Sequence, residues 1–360
     1  MVSIIHLGVG GRGRHWLDFV ADHPDFTSVA CVDPDPRAVE TARGVPGLEN
    51  ARFFASFDEA IQEVRADAAL IASPSFLHGP QVRQALDAGL AVLVEKPFSV
   101  DLGEALTLVE RAHAVGRPVM VAENFRFFQA ERTFRRMLND GAVGQIGAVL
   151  CIDRRAQPSA DQGPWVQDLE QPFITEIAVH HFDSFRYLFD RRPLAVLATS
   201  YQPPLSDYRG HAALDAVVEM ADGPIIHYGG TLVASGYEFS LWVEGDEGDL
   251  WTNRRRVWWR PRGRRFFRAV EMVSVPAGDE KRYPRAGTVS LLNQLRDALT
   301  HGRVPETNGA DNLWTLAMVE TCLRSAREGR RVEIAEVFSP EQQARARRVA
   351  AGEGRERADA

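Results

Sequence analysis

The stretch VSIIHLGVGGRGRHW, residues 2–16, decides the fold of the first half of the chain. A short apolar run reads as a buried strand, a glycine cluster follows, and helical spacing takes over from His15 to Ala21. Gly8, Gly10 and Gly13 stand in the spacing G-x-G-x-x-G. In such a turn the first glycine permits the tight bend, the second lets a pyrophosphate approach the backbone, and the third lets the helix close on the strand. The helix opening offers unpaired N–H groups and the positive end of its dipole to phosphate. Gly11 adds a fourth glycine and leaves open which amides face the ligand. Asp33 closes the next strand candidate, TSVACVD, where a carboxylate accepts hydrogen bonds from both ribose hydroxyls of an adenosine. NAD is therefore favoured over NADP, whose extra phosphate would meet Asp33 with like charge. Arg37 softens that penalty and keeps NADP as the alternative. An ordinary glycine turn followed by a solvated aspartate explains the same residues less well, because strand, turn, helix and acidic end occur together.

Outward from this stretch, the alternation continues to about Ala122. TSVACV, AALIAS, AVLVEK and PVMVAE read as strands, His78 to Ala88 and Leu102 to Ala114 as helices. The pattern predicts a mostly parallel sheet with helices on both faces. After Phe125 the period changes. GAVLCIDRR, AVLATSY, HAALDAVVEMA, PIIHYGGTLV and EFSLWVEG read as strands of an antiparallel sheet, with long helices at Phe173 to Leu188 and Gly309 to Ala326 packed to one side. The boundary falls between Ala122 and Ala130. The expected division is a dinucleotide-binding domain over residues 1–123, a substrate-binding and oligomerisation domain over 124–340, and a flexible tail over 341–360 with little to bury.

Of the 360 residues 45% are hydrophobic and 25% charged, which predicts a substantial core and excludes a disordered or collagenous chain. The net charge of -7 gives no general attraction to nucleic acid or an anionic membrane. Cys31, Cys151 and Cys322 are scattered and odd in number, so neither a disulfide framework nor a structural zinc cluster is expected. With no run approaching roughly 18 apolar residues, the expectation is a cytoplasmic protein without a membrane span or bound metal.

Lys96 follows AVLV at the carboxyl end of a parallel strand, the edge where open sheets collect ligands. An ammonium there donates to a substrate hydroxyl and stabilises a developing alkoxide; a surface lysine or a Glu95 salt bridge is the plainer alternative. Glu176, His180 and Asp183 fall at i, i+4 and i+7, along one face of a helix whose Val179, Phe182 and Phe185 face the core. His180 is suited to accept a hydroxyl proton near neutral pH and Glu176 to orient it. The plainer reading is a partly buried helix whose carboxylates cap it or pair with Arg186. His181 points about one hundred degrees away from His180 on an ideal helix. The run WTNRRRVWWRPRGRRFFR, residues 251–268, has eight arginines and no acid. It reads better as an amphipathic strand, turn and strand than as a nucleic-acid surface, because no nucleic-acid motif accompanies it.

GVGGRG, the terminal Asp33, AVLVEKPFS, VAENFRF and TEIAVHHFD, in this order, resemble the Gfo/Idh/MocA oxidoreductase family over nearly the whole chain. The resemblance implies an amino-terminal Rossmann fold and a carboxyl-terminal α/β domain on an open, mainly antiparallel sheet, through which homodimers or homotetramers form. It implies NAD(P)-dependent oxidation or reduction of a sugar, sugar derivative or cyclitol. Lys96 matches the family's active-site lysine and His180 its catalytic histidine, with Glu176 where an aspartate is common and Ala178 where a glycine is frequent. Those departures bear on substrate geometry more than on dinucleotide binding. The candidate cofactor set then comprises Gly8, Gly10, Gly11, Arg12, Gly13, Asp33, Arg37, Ser73, Pro74, His78, Glu95, Lys96 and Pro97. The candidate substrate set comprises Lys96, Asn124, Arg126, Glu176, His180 and Asp183. Two other functions suit the same residues: NAD-dependent, redox-assisted glycoside cleavage or elimination, and a non-enzymatic protein that senses the cofactor for a partner.

Overall fold

Ile4, Ile5 and Leu7 are buried along the first strand, as a strand covered on both faces requires. In the computed structural model, which describes residues 1–352, this strand is β1 (Val2–Leu7). With β2 (Phe26–Val32), β3 (Arg52–Phe54), β4 (Ala68–Ile71), β5 (Ala91–Val94) and β6 (Val119–Val121) it forms a six-stranded parallel sheet, ordered β3-β2-β1-β4-β5-β6. The connections carry α1 (Gly11–Ala21), α2 (Pro36–Arg43), α3 (Phe57–Glu63), α4 (His78–Asp87) and α5 (Leu102–Val115). α2, α3 and α5 each start on a side-chain cap, from Asp35, Ser56 and Asp101. α1 starts on Gly10 without one.

The register aligns the carboxyl ends of the strands. Leu7 lies opposite Val32 and Ile71, Ile71 opposite Val94, and Val94 opposite Val121. Gly8, Asp33, Ala72, Glu95 and Ala122 therefore leave the sheet at one edge, and the order reverses between β1 and β4, where such sheets bind ligands. The five strands read from sequence are present. β3, three residues long, is too short to carry a period of its own.

The second unit holds Phe125–Glu280 and Trp314–Ser339. Its elements are α6 (Gln129–Asn139), β7 (Ile146–Ala156), α7 (Val179–Phe189), β8 (Pro193–Tyr201), β9 (Ala213–Met220), β10 (Ile225–Thr231), β11 (Val233–Gly245), β12 (Gly248–Thr252), β13 (Val257–Pro261) and β14 (Arg268–Ala269). The chain then forms α8 (Thr288–His301), α9 (Gly309–Glu328), β15 (Val332–Glu333), α10 (Ile334–Val337) and α11 (Pro340–Ala350). The nine-stranded sheet runs β14-β13-β12-β11-β7-β10-β9-β8-β15 and is antiparallel except where β10 meets β7. One face of β7 is buried through Val149, Cys151 and Asp153, while Leu150 and Ile152 on the other are exposed. Val179, Phe182 and Phe185 of α7 are buried as expected, and both phenylalanines meet Tyr228 of β10.

Two expectations need correction. The first unit does not stop at residue 123: it runs to Asn124 and takes back Lys281–Leu313 and the described chain from Pro340. Sequence spacing marks where a pattern changes, not where the chain later returns. The expected tail, 341–360, instead begins as helix α11, which packs on α5. Gln343 and Ala346 are buried there, and Arg345 donates to the Glu110 carboxylate at 2.7 Å. Alanine and the stems of long polar residues supply enough surface for a peripheral helix to dock. Residues 353–360 lie outside the described residues.

Candidate active site

In the first unit, the glycine turn is fixed by contact. Gly8 has φ +81°, and a Cβ there would lie 2.7 Å from Ser73 N; one on Gly13 would lie 1.9 Å from Gly8 O. Gly11, at φ +33°, has nothing within 4 Å of its Cβ position. α1 therefore opens with no capping side chain, no acid in its first turn and open space over Gly11, which suits a phosphate. The Asp33 carboxylate is aimed across this turn: Oδ2 accepts from Val9 N and Oδ1 from Asp35 N, each at 2.9 Å. Arg37 is exposed in the first turn of α2. These residues fit a dinucleotide.

Arg12 and Glu95 hold each other. Arg12 Nε and Trp16 Nε1 each donate to Glu95 Oε1 at 2.7 Å, and the guanidinium lies against the rings of Trp16, Phe19 and Tyr283. Burial alone would raise the Glu95 carboxyl, but the charge and hydrogen bond of Arg12 outweigh it and hold the group below its ordinary range. This pair ties α1 to the end of β5, immediately before Lys96. Sequence offered no sign of Trp16 as a partner. His78 is buried and reaches both neighbouring turns, Nε2 lying 2.9 Å from Ser73 O and Nδ1 2.7 Å from Pro97 O. Ser73 Oγ donates to Gln81, Pro74 precedes a short turn of helix at Ser75–Leu77, and the Lys96–Pro97 peptide is cis. Lys96 is half-buried at this edge. Asn124 donates its amide to Ala286 O at 2.9 Å.

In the second unit, the histidine-bearing segment is not uniform helix. Ile174–Ala178 is a π-helical turn that passes into α7, so Glu176 and His180 are offset from the alignment an α-helix gives. The His180 imidazole stacks on Phe125, with centroids 4.2 Å apart and planes 16° from parallel. His181 diverges, as its position on the helix requires. Its Nδ1 lies 2.6 Å from the Tyr228 hydroxyl, and Nε2 lies 3.0 Å from Asp153 Oδ2 but out of line for a hydrogen bond. Burial pushes the His181 pKa down to about 4, against the opposing pull of Asp153, so the ring is neutral at physiological pH.

Arg126 and Asp183, expected at the substrate, hold each other. Arg126 Nε and Nη2 each donate to one Asp183 oxygen at 2.6 Å, Thr315 adds a third bond at 3.1 Å, and both side chains are buried. This bidentate pair anchors α7 to the segment that follows Asn124. Among the described residues no group of His, Cys, Asp and Glu could hold a metal.

The model described as an oxidoreductase family with an NAD-binding Rossmann fold matches residues 2–123, and that of the Gfo/Idh/MocA carboxyl-terminal domain matches residues 132–251. The chain belongs to the Gfo/Idh/MocA family of oxidoreductases. It is similar to D-apiose dehydrogenase of Paraburkholderia graminis, 28% identical over 91% of this chain and 88% of that protein. Inositol 2-dehydrogenase of Rhizobium meliloti is 24% identical over 91% of this chain and 98% of its own. Among solved structures, an oxidoreductase from Agrobacterium radiobacter in complex with NAD+, L-tartaric acid and magnesium superposes with a TM-score of 0.81, at 19% identity over 93% of this chain and 99% of its own. No described helix is long and apolar enough to cross a membrane.

Proposed function

We propose that the protein is an NAD(P)-dependent dehydrogenase or reductase acting on a secondary hydroxyl or ketone of a sugar, sugar derivative or cyclitol. The observation that carries this reading is the sheet edge at which the glycine turn, Asp33 and Lys96 follow the ends of β1, β2 and β5, which the register aligns. The names of the relatives, dehydrogenases of apiose and inositol, point to the substrate class. NAD is favoured because the Asp33 carboxylate leans over the turn where an added ribose phosphate would be repelled.

When bound, the nicotinamide supplies the hydride acceptor or donor. In the oxidative direction His180 accepts the proton of the substrate hydroxyl, Lys96 donates a hydrogen bond to the same oxygen and shares its developing charge, and Glu176 orients the imidazole. Reduction runs these proton movements in reverse. Gly8, Gly10, Gly11 and Gly13 bring backbone to the pyrophosphate, while Ser73, Pro74, His78 and Pro97 shape the turns that flank it. The enzyme works in the cytoplasm as a homodimer or homotetramer. Exposed Leu150, Ile152, Leu197, Tyr201 and Ile225 on strands β7, β8 and β10 support association through the open sheet.

The test is incubation with NAD and a panel of sugars, sugar acids, aminosugars and cyclitols, following reduced nicotinamide alongside product analysis. Lasting reduced nicotinamide with a matching oxidised product supports the proposal. Product without net reduction assigns the protein to redox-assisted cleavage or elimination instead.

A further inference from the structure

Of the eight arginines in residues 251–268, one points inward. Arg254 occupies the turn between β12 and β13 at φ +66°, a left-handed conformation that strains a side-chain-bearing residue. The turn is built to hold it there: Thr252 Oγ1 accepts from Arg254 N at 3.0 Å and donates to Arg256 O at 2.7 Å, while Asn253 Oδ1 accepts from Arg255 N and Arg256 N. The Arg254 side chain is 6% exposed, whereas Arg255 and Arg256 on either side of the tip are exposed.

Inside, the guanidinium is held by charge and by ring faces instead of hydrogen bonds. Nε lies 3.5 Å from Glu131 Oε1 and Nη1 3.8 Å from Asp153 Oδ2, and none of its three nitrogens makes a hydrogen bond. Its carbon lies 3.6 Å from the Phe239 ring centre and 4.2 Å from that of Phe125. Burying a guanidinium this way is costly, and backbone strain is added to that cost. Backbone strain and buried polar groups without hydrogen bonds concentrate where they serve function. Phe125 is the ring on which His180 stacks, so guanidinium, phenyl and imidazole form one contact chain within the second unit.

We propose that Arg254 is a positioning residue for His180: by fixing the Phe125 ring it sets the plane and reach of the imidazole. The proposal rests on the acid–base reading of His180 for its functional meaning, and its test is independent of turnover. Full-length protein labelled with carbon-13 at the histidine Cε1 is compared by NMR in wild type, Arg254→Met, Arg254→Lys and Arg256→Met, with the His180 signal assigned through His180→Gln. Stacking on Phe125 shields the His180 Hε1 proton. The expected result is a downfield move of that signal in both Arg254 variants and none in Arg256→Met, which alters an exposed neighbour. Arg254→Lys keeps the charge without the flat face, and so decides the matter where Arg254→Met fails to fold. An unchanged His180 signal in folded Arg254→Lys or Arg254→Met overturns the proposal. Loss of this signal change and loss of the acid–base reading are separable, because the latter is judged by the turnover of His180→Ala.

Discussion

At the scale of single residues, the turn after β1 tolerates no side chain at two positions. In Gly13→Ala the methyl would lie 1.9 Å from Gly8 O and force the strand and helix apart. NAD affinity measured by calorimetry should fall at least about tenfold; unchanged affinity would show that the turn does not hold the cofactor. Glu95 gives a second prediction. Glu95→Ala leaves the partly buried Arg12 without its partner and should cost about 3 kcal/mol in urea unfolding. Glu95→Gln should cost less, since its amide oxygen still accepts from Trp16. The glycine turn and the place of Asp33 at a strand end were legible because strand, turn and helix follow one another locally in the sequence. The Arg12–Glu95–Trp16 contact was not, since these residues meet across the sheet edge and nothing local links positions so far apart in sequence.

At the scale of elements, α7 carries two histidines and an aspartate with separate tasks. His180 goes to Phe125, His181 to Tyr228 and Asp153, and Asp183 to Arg126. Helical periodicity gave the core face, Val179, Phe182 and Phe185, and the divergence of the two histidines. It missed the π-helical turn at Ile174–Ala178, because that turn inserts a wider loop of backbone without altering the apolar pattern. Asp183, counted in the substrate set that follows from the family resemblance, has Arg126 as a buried partner. Asp183→Ala should therefore destabilise the protein by about 3–5 kcal/mol. Equilibrium unfolding checks this, and a change well under 1 kcal/mol would mean the pair does not anchor the helix.

For the molecule as a whole, buried neutral histidines make stability fall with acid. Burial lowers His181 from 6.5 to about 4 and His6 from 6.5 to about 3, and His15 and His23 shift the same way. As pH drops through 6.5, the unfolded chain takes up protons that the native chain refuses, so stability declines until the native values are passed. His181 alone accounts for about 3 kcal/mol. Glu95 and Asp153, whose pKa values are lowered, give up their contribution only at still lower pH and do not oppose this trend near neutrality. Thermal unfolding should shift to lower temperature from pH 7 to pH 5, and a flat profile would contradict the neutral buried histidines. The two-part architecture was legible because a parallel αβ alternation gives way to antiparallel strands near Phe125. The return of residues 281–313 and α11 to the first unit was not, because long-range docking leaves no periodic trace. The central claim is that His180 moves the proton while hydride is exchanged with the cofactor. Its most direct test is the single-turnover rate of reduced-nicotinamide formation, across pH, in wild type and His180→Ala with whichever panel substrate reacts. A loss of roughly 10²–10⁴-fold with a flattened pH dependence is predicted; an unchanged rate at every pH would contradict it.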